Sequence, residues 1–375
     1  MCKKIAIIGP FAPSIVLFRG PLIKELVFSG CTVITLAPDF SEKEMSILNK
    51  LGATPEKFYL NKDGVNPFQD VFSIFSLYKI FRNEKPYIIV GYHPKPAIYG
   101  PFAGWLAKVP LRIAWLGGLG YAFINENLSL KKRLVRYIQT TWMKIAFRVA
   151  HQVWLQNEDD LNLLVSLGIL KSEKGVVIGG TGVDLDEWKP APVHYSPITF
   201  TLIARLLKEK GIYEFVEAAK KIKKQYPKTR FLLIGPIDTN PSAIKKHEVE
   251  RWVEEGILEW VQWTDDVKSY LAETSVYVLP SYREGVPRST QEALAMARPV
   301  ITTDAPGCRD TVIDGRNGFL IPIKDVDALV NAMEKFILNP DLISQMGQES
   351  RKLAEERFDV RKINMKILDH LSIKA

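Results

Sequence analysis

The amino-acid sequence predicts an α/β protein of two domains, each built on a parallel, doubly wound sheet. Short apolar runs rich in β-branched residues alternate with segments of helical period, and turns with glycine, proline or asparagine separate them. The length of 375 residues is about twice that of one domain. Three prolines within 189–197 disfavour helix and predict an extended connector. We therefore expect domains at 1–190 and 191–375, with the last helix free to cross back to the first domain.

The predicted strands follow one another with helical segments between most of them. In the first half they cover 5–9, 31–37, 57–60, 87–91, 111–116, 151–155 and 176–178. After the connector they cover 198–203, 231–234, 258–261, 276–279, 300–303 and 319–321. Ligands of such sheets bind beyond the carboxyl ends of the strands, so functional residues are expected directly after them.

Composition narrows the classes of protein to consider. Apolar residues make up 47% of the chain and charged residues 25%, which is ordinary globular usage. Cys2, Cys31 and Cys308 are spaced too widely for a metal site or a disulfide framework, which fits a reducing cytoplasm. Pro10 and Pro13 interrupt the first apolar run, which disfavours a secretion signal. No apolar stretch is long enough to span a bilayer, so any membrane contact is expected to be peripheral.

The segment 278–296 is the most informative one for chemistry. Pro287 suits the first turn of a helix that continues through Met296, and the free N–H groups of that turn would bind a diphosphate. Glu284 precedes this helix and suits hydrogen bonds from sugar hydroxyls, whereas Glu292 could reach both hydroxyls of a ribose. The alternative is that Glu284 caps the helix dipole and Glu292 is a solvated helix residue. The spacing alone favours that alternative.

This segment resembles the signature of family 4 glycosyltransferases, which have the GT-B fold of two facing Rossmann-like domains with an interdomain cleft. The residues that carry the resemblance are Glu284 to Glu292, Ala293, 299–301, Asp304, Gly307 and 317–319. It implies that Glu284 contacts the donor hexose and that Glu292 holds the nucleotide ribose. It also implies that the backbone of Gly285, Val286 and Pro287 lies near the sugar and phosphates. The first domain would then bind the acceptor and the second the nucleotide sugar.

Two further groups in the second half follow predicted strands. Arg205 and Lys210 border a glycine turn and could clamp a diphosphate leaving group, although in isolation both read as surface charges. Similarity to an Arg and a Lys in this turn of the family favours the clamp. Val267 lies where related enzymes cradle the base. The alternative there is ordinary loop-to-helix packing, with Asp265 as a helix cap.

In the first half, glycines follow the fifth predicted strand and a histidine follows the fourth. The backbone of Gly118 could approach a ligand closely, either as part of the cleft or merely as a tight turn. The glycine spacing is not that of a dinucleotide fingerprint. His93 could approach the reacting sugar or the acceptor, although a lone histidine is more often structural.

The surroundings of His93 extend the resemblance to one branch of the family. Together with 66–68 and the glycine turn, they are similar to bacterial enzymes that extend polyprenyl-diphosphate-linked oligosaccharides for surface polysaccharides or glycoprotein glycans. Two features depart from the common pattern. The first strand is followed by Gly9-Pro10-Phe11 instead of a glycine pair, and Gly117-Gly118 stands where many members have a histidine. The N-domain residue that contacts the donor sugar therefore stays open.

A basic helix predicted over 129–149 has no acidic residue. At 100° per residue, one stripe gathers polar and cationic side chains: Arg133, Arg136, Thr140, Lys144 and Arg148. Tyr137 and Phe147 lie on or beside this stripe, and the opposite face gathers Leu134, Val135, Ile138, Trp142, Ile145 and Val149. The pattern favours contact with an anionic membrane surface over a merely solvated face. Nucleic acid is disfavoured, because no recognised nucleic-acid module accompanies the charge.

Together, these features predict a retaining transferase that moves a hexose or N-acetylhexosamine from a nucleotide sugar, with UDP expected, to a lipid-linked saccharide. No cofactor or metal is expected, because the resemblance implies that Arg205, Lys210 and a helix dipole replace the divalent cation. The enzyme would be cytoplasmic, at the inner face of the membrane. The alternatives are a sugar-nucleotide epimerase of the same fold and a catalytically silent subunit of a polysaccharide assembly complex. Retention of Glu284, Glu292, Arg205 and Lys210 disfavours the silent subunit.

Overall fold

A computed structural model of the chain describes residues 3–61, 67–120, 123, 130–193 and 195–373. The chain divides into two compact units, Met1–Gly179 with Lys362–Ala375, and Gly180–Arg361. The division falls before the boundary predicted at 190. The reason lies in the hydrogen bonds of the proline-rich segment: Arg351 Nη1 donates to the Trp188 carbonyl oxygen at 2.9 Å, and Arg298 Nη2 donates to that of Ala191 at 3.1 Å. The predicted connector is therefore bound to the second unit.

The first unit is built on a parallel sheet. Its strands are β1 (Lys4–Ile8), β2 (Thr32–Ala37), β3 (Ala53–Lys57), β4 (Ile88–Tyr92), β5 (Leu111–Trp115), β6 (Gln152–Leu155) and β7 (Gly175–Val177). They lie in the order β3-β2-β1-β4-β5-β6-β7. The helices are α1 (Ala12–Phe28), α2 (Glu42–Lys50), α3 (Pro67–Glu84), α4 (Pro94–Leu106), α5 (Leu130–Val149) and α6 (Glu158–Ser166).

Successive side chains along the strands pack alternately into two hydrophobic cores, one on each face of this sheet. Ala6 and Ile8 of β1 pack with the core that α3, α4 and α5 cover, whereas Ile5 and Ile7 pack with the core under α1. This is the period-two pattern of a buried parallel strand. Ile367, from the last helix of the chain, joins the second of these cores, so the end of the chain belongs to the first unit.

One predicted strand of the first unit is displaced. The sequence predicts a strand over 57–60, whereas β3 runs over Ala53–Lys57 and pairs with β2. Pro55 hid this strand from the sequence analysis. Proline has no backbone N–H to donate to a neighbouring strand, so it argues against a strand unless that side of the strand is unpaired. β3 is an edge strand, so it tolerates this residue. The apolar run that suggested the strand instead supplies Phe58 and Leu60 to the core.

The second unit repeats the architecture. Its strands are β8 (Thr199–Ile203), β9 (Arg230–Ile234), β10 (Glu259–Val261), β11 (Val276–Leu279), β12 (Val300–Thr303) and β13 (Gly318–Ile321), in the order β10-β9-β8-β11-β12-β13. The helices are α7 (Ile212–Gln225), α8 (Lys246–Glu254), α9 (Val267–Glu273), α10 (Arg288–Ala295), α11 (Val326–Leu338) and α12 (Asp341–Arg357). The last helix, α13 (Val360–His370), belongs to the first unit from Lys362 onward. Every strand pair in both sheets is parallel, as the sequence predicts.

Helix α5 confirms the predicted basic helix but not both of its predicted faces. Arg133, Lys144 and Arg148 are exposed. Phe147, predicted beside the basic stripe, is only 1% exposed, whereas Ile145, predicted on the buried face, is 44% exposed. The buried stripe consists of Met143, Ala146, Phe147 and Ala150, with the i, i+3, i+4, i+7 spacing of a packed helix face.

Candidate active site

The candidate site of the second unit lies where the order of its strands reverses. β8 and β11 are neighbours in the sheet, but the chain proceeds to β9 on one side and to β12 on the other. The segments that follow two such strands diverge and leave a crevice at the carboxyl edge of the sheet. Arg205 and Lys210 follow β8, and Glu284 follows β11. The topology therefore brings the two predicted groups to one edge.

Lys210 and Glu284 form an ion pair at this edge. Lys210 Nζ donates to Glu284 Oε1 at 2.5 Å, and the two side chains are 17% and 14% exposed. Such low exposure leaves little water to screen the charges, so each group depends on the other more than in a surface pair. The sequence predicted both residues for the site but not their direct contact.

The loop that carries Glu284 is held by the segment after β12. Glu284 N donates to the Pro306 carbonyl oxygen at 3.0 Å. Gly307 has a φ of +77°, and a Cβ at this position would overlap the carbonyl oxygens of Glu284 and Gly285. Only glycine meets both demands without strain. Gly307 therefore fixes how closely the two loops approach each other, which explains one glycine of the predicted signature by its local geometry.

Helix α10 begins one residue later than predicted. Pro287 is its N-cap, with ψ of 126°, and the helix itself starts at Arg288. The preceding residues Gly285 and Val286 thus lead into the open N-terminal turn, whose N–H groups and dipole favour an anion. Gln291 N donates to the Pro287 carbonyl oxygen at 3.2 Å, which closes the first helical turn.

Glu292 is buried on α10 and paired within the helix. Arg288 Nε donates to Glu292 Oε1 at 2.8 Å, four residues away on the same helix face. Burial raises the pKa of Glu292 above its usual value, and the charge of Arg288 acts in the opposite direction. The alternative of a solvated helix residue is therefore wrong for Glu292.

A buried tyrosine lies beneath the site and was not identified from the sequence. The hydroxyl of Tyr277 is hydrogen-bonded to Ser289 Oγ at 2.6 Å and to the Ile203 carbonyl oxygen at 3.2 Å, which links the end of β8 to the first turn of α10. Burial raises the pKa of Tyr277, and the charges of Glu292 and Glu284 raise it further. The charges of both glutamates therefore act on one buried hydroxyl.

Arg205 lies after β8 but is bonded elsewhere. Its Nη1 donates to Asp238 Oδ2 at 2.9 Å, and its side chain is 62% exposed. Asp238 follows β9, the next strand in the sheet, and its Oδ1 accepts a hydrogen bond from Asn240 N. The structure thus brings Lys210 and Glu284 into contact and holds Arg205 at the edge of the site, on a carboxylate that nothing in the sequence marked.

Val267 begins α9, after β10. The N-cap of this helix is Asp266, whose Oδ1 accepts a hydrogen bond from Ser269 N at 3.2 Å. The predicted alternative named Asp265 as the cap and is therefore wrong by one residue. Val267 is half-buried and packs against the core that contains Val286 and Leu271. Its role in cradling a base stays a prediction.

In the first unit, His93 and the glycine turn meet at the corresponding edge. His93 is the N-cap of α4, with φ of +69°. Its backbone N–H donates to the Trp115 carbonyl oxygen at 3.0 Å. Gly117 lies beside the imidazole, since a Cβ there would be 3.7 Å from His93 Cε1. Gly118 has a φ of +132°. Segment 66–68, grouped above with His93 and the glycine turn, begins at residue 66, which lies outside the described residues.

A buried arginine lies against the last residues of β4 and β5 in the first unit. The guanidinium carbon of Arg19 lies 3.5 Å from the ring centroid of Trp115 and 4.7 Å from that of Tyr92, and the side chain is almost fully buried. The stacked aromatic faces favour the cation in this dry environment. The sequence offered one signal for it: a single arginine within the otherwise apolar stretch of α1.

The chain resembles known proteins in the same regions. Residues 186–353 match the family described as "Glycosyl transferases group 1". Over 342 residues the chain is 29% identical to the N,N'-diacetylbacillosaminyl-diphospho-undecaprenol alpha-1,3-N-acetylgalactosaminyltransferase of Campylobacter jejuni, covering 87% of each chain. Over 318 residues it is 26% identical to the UDP-Gal:alpha-D-GlcNAc-diphosphoundecaprenol alpha-1,3-galactosyltransferase of Escherichia coli, covering 81% of this chain and 80% of that relative.

The fold is also that of solved structures. The crystal structure of Anabaena HepE in complex with UDP superposes with a TM-score of 0.77 at 17% identity, and the match covers 98% of this chain and 99% of that one. Two parallel sheets of this topology agree with the family match and with the solved structure. Residues 186–353 are therefore similar to the glycosyl transferases group 1 family, and the chain is a glycosyltransferase with the GT-B fold.

Proposed function

We propose that the enzyme transfers a hexose or N-acetylhexosamine from a UDP-sugar to a saccharide linked to a polyprenyl diphosphate, with retention of the anomeric configuration. The observation that carries the proposal is the partly buried pair of Lys210 and Glu284 beside the start of α10. The names of both relatives support it, since each transfers a galactose-type sugar in alpha-1,3 linkage to a diphospho-undecaprenol-linked saccharide. The surface glycans of bacteria are the expected destination.

In the proposed reaction, the chain supplies charge and orientation instead of a nucleophile. The bond between the anomeric carbon and the β-phosphate oxygen breaks, and its electron pair stays on the diphosphate. The acceptor hydroxyl attacks the anomeric carbon from the same face and gives its proton to the departing phosphate oxygen. Lys210, Arg205 and the N–H groups at the start of α10 neutralise the charge that grows on the diphosphate. No metal or other cofactor is required.

The glutamates have separate roles in this proposal. Glu284 accepts hydrogen bonds from hydroxyls of the donor hexose, and Glu292 accepts those of the ribose. The Arg288 pairing supports the second role, because it keeps a carboxylate oriented in a buried position. Gly285, Val286 and Pro287 bring their backbone next to the sugar and phosphates, and Val267 lies near the base. In the first unit, His93 faces the reacting sugar or acceptor, with Gly118 beside it.

A screen of purified enzyme tests the proposal. The donors are UDP-galactose, UDP-N-acetylgalactosamine and their gluco-epimers, each with an undecaprenyl-diphosphate-linked sugar as acceptor, with and without EDTA. We expect transfer from at least one donor, an α-linked product by NMR and unchanged rates in EDTA. Glu284→Ala should abolish transfer and leave the fold intact. Epimerised UDP-sugar without transfer would favour the epimerase, and no turnover with any donor would favour the silent subunit.

We further propose that the enzyme works in the cytoplasm at the inner face of the membrane, held by α5. Among the described residues, no helix has the length and apolar character needed to cross a bilayer. Arg133, Arg136 and Lys144 instead line an open cavity of about 710 Å³ against the turn at Leu167 and Ile169. Three cations at one concave surface suit anionic headgroups, and each adds on the order of 1 kcal/mol near such a surface.

The neighbouring helix α3 supports the same assignment. It packs on α4, which in turn packs on α5, so the three helices form one layer. Phe72 and Phe75 of α3 are 64% and 50% exposed, and Lys79 Nζ lies 4.7 Å from the ring centroid of Phe75. Exposed aromatic rings beside cations are typical of a surface that contacts a lipid interface. The acidic residue at the start of this helix, Asp70, is buried and paired with Lys95.

Vesicle binding tests the membrane assignment separately from catalysis. Vesicles with phosphatidylglycerol should bind the enzyme, and vesicles of phosphatidylcholine alone should not. Arg133→Glu with Lys144→Glu should weaken binding by at least about tenfold, because each reversal removes one attraction and adds one repulsion. Lys224→Glu with Lys228→Glu, on the exposed surface of the second unit, changes the net charge equally and is the matched control. Equal losses from both pairs would contradict a role for α5.

A further inference from the structure

A fully buried carboxamide bridges the predicted donor loop and the point at which the chain enters the second unit. Gln291, on α10, donates from Nε2 to the Val286 carbonyl oxygen at 3.0 Å. Its Oε1 accepts a hydrogen bond from Gly182 N at 3.0 Å. Both bonds are buried, so each is protected from exchange with water and costly to leave unmade.

The second of these partners belongs to a pair of segments that join the two units. The chain passes between the units at Gly179–Gly180 and again at Arg361–Lys362. Val183 N donates to the Phe358 carbonyl oxygen at 2.8 Å, and Val360 N donates to the Val183 carbonyl oxygen at 3.0 Å. The two passages are therefore hydrogen-bonded to each other next to Gly182. We call the paired segments 180–183 and 358–361 the crossing pair.

The first partner belongs to the loop that the proposed function assigns to the donor sugar and phosphates. Val286 is followed by Pro287, which has no N–H, so the Val286–Pro287 peptide offers the site only a carbonyl. The bond to Gln291 orients this carbonyl toward the amide of a buried side chain. The same bond restrains the loop that leads into α10, because a rotation of that peptide would leave a buried acceptor unsatisfied.

We propose that Gln291 is a positioning residue that fixes the donor loop and links donor binding to the crossing pair. This inference rests on the proposed function, since it assumes that a UDP-sugar occupies the loop of Gly285, Val286 and Pro287. A ligand that orders this loop stabilises the Val286 carbonyl in its bonded orientation, and the same carboxamide then holds Gly182. Linkage requires the reverse as well: whatever loosens the crossing pair weakens donor binding by the same factor.

Two substitutions of Gln291 separate its two bonds. Gln291→Met keeps the size of the side chain and removes both. Gln291→Glu keeps an acceptor for Gly182 N, and at a pH high enough to ionise its buried carboxyl it cannot donate to the Val286 carbonyl oxygen, so only the bond to the donor loop is lost. Asn317→Leu is the matched control. Asn317 is also a buried carboxamide that donates to one backbone group and accepts from another, but it precedes β13, at the opposite edge of the sheet.

Two measurements distinguish positioning from a merely structural role: the Kd for UDP, and hydrogen exchange of the crossing pair with and without UDP. In the wild-type enzyme, UDP should slow exchange at 180–183 and 358–361. Gln291→Met and Gln291→Glu should each weaken UDP binding by about tenfold, the effect of one lost buried hydrogen bond. Saturating UDP should then no longer protect the crossing pair. Asn317→Leu should lower the melting temperature but change the Kd for UDP less than threefold, about 0.7 kcal/mol.

The possible failures are distinguishable. If the wild-type enzyme does not bind UDP at the loop of α10, the proposed function is wrong. If it binds UDP but the crossing pair exchanges at the same rate with and without it, the coupling is wrong. Wild-type affinity in the Glu variant, at a pH at which its carboxyl is ionised, would exclude the positioning role even if the Met variant fails to fold. A loss of affinity in Asn317→Leu equal to that of the Gln291 variants would show that the effect is general destabilisation.

Discussion

The ion pair of Lys210 and Glu284 leads to the sharpest prediction, because it separates stability from catalysis in one experiment. The side chains are 17% and 14% exposed, between the fully buried and the surface case. Removing one partner of a fully buried pair costs about 3–5 kcal/mol, and a surface pair contributes about 0–1 kcal/mol. We therefore expect Lys210→Met and Glu284→Gln each to destabilise the second unit by about 2 kcal/mol.

The double variant should restore most of this loss. With both charges absent, neither ion lacks its partner, so the double variant should be destabilised by only about 1 kcal/mol, which corresponds to a coupling energy of about 3 kcal/mol in the double-mutant cycle. Two kcal/mol correspond to about 4–8 °C in the melting temperature of a unit of this size. Differential scanning calorimetry at constant pH measures each variant. The exposed pair of Lys246 and Glu250, at 62% and 46% exposure, is the control and should give a coupling of about 0.3–0.5 kcal/mol.

Activity should not follow stability in this cycle. Lys210→Met should lower kcat by about 10²–10³, as does the loss of one group that stabilises transition-state charge. Glu284→Gln should also impair transfer, and the double variant should stay inactive although its melting temperature recovers. Recovered activity in the double variant would mean that the pair is only structural. A coupling no larger than that of Lys246 and Glu250 would refute the energetic reasoning.

Four further predictions each concern one residue. Glu292→Gln should gain stability relative to the wild type as the pH rises from the ordinary glutamate value to neutrality: the pKa of Glu292 is raised in the folded state, so its ionisation costs the wild type stability in this range, as thermal melts of both proteins at each pH would show. Gly307→Ala should raise the KM for the donor, because a Cβ overlaps the carbonyl oxygens of the donor loop. Arg205→Met should lower kcat by about tenfold or more with little effect on melting temperature, since its pair is mostly exposed; an unchanged kcat would exclude it from the clamp. Cys308 should resist iodoacetamide in the folded protein, because burial raises the pKa of its thiol to about 12, and mass spectrometry after unfolding should show it alkylated.

The sequence predicted those parts of the site that strand ends determine. Lys210 and Glu284 are 74 positions apart, yet both follow strands that flank the reversal of strand order, so the parallel topology alone brings them to one edge. Glu292 was expected on the helix that follows. In each case, local pattern and global topology give the same answer, and no side-chain packing has to be known.

Other features depend on packing that a sequence does not display. The orientation of α5 was derived from its charges, but Ile145 and Phe147 are both apolar, and only the shape of the core decides which is buried. Arg205 is bonded to Asp238 because the turn after β9 happens to lie beside that after β8. Gln291 has no charge and no motif. Its role became visible only when both of its buried partners were known.

The charges of the site explain how a diphosphate can bind beside two carboxylates. Each glutamate is paired with a cation, Glu284 with Lys210 and Glu292 with Arg288, so neither carboxylate faces the start of α10 uncompensated. In our proposal, Lys210 exchanges part of its interaction with Glu284 for the diphosphate, and the sugar hydroxyls take its place on the carboxylate. A free diphosphate lacks those hydroxyls and would leave Glu284 poorly satisfied. In this proposal, the same exchange favours binding of a nucleotide sugar over the nucleotide alone, and the hexose that is transferred accounts for the difference in affinity.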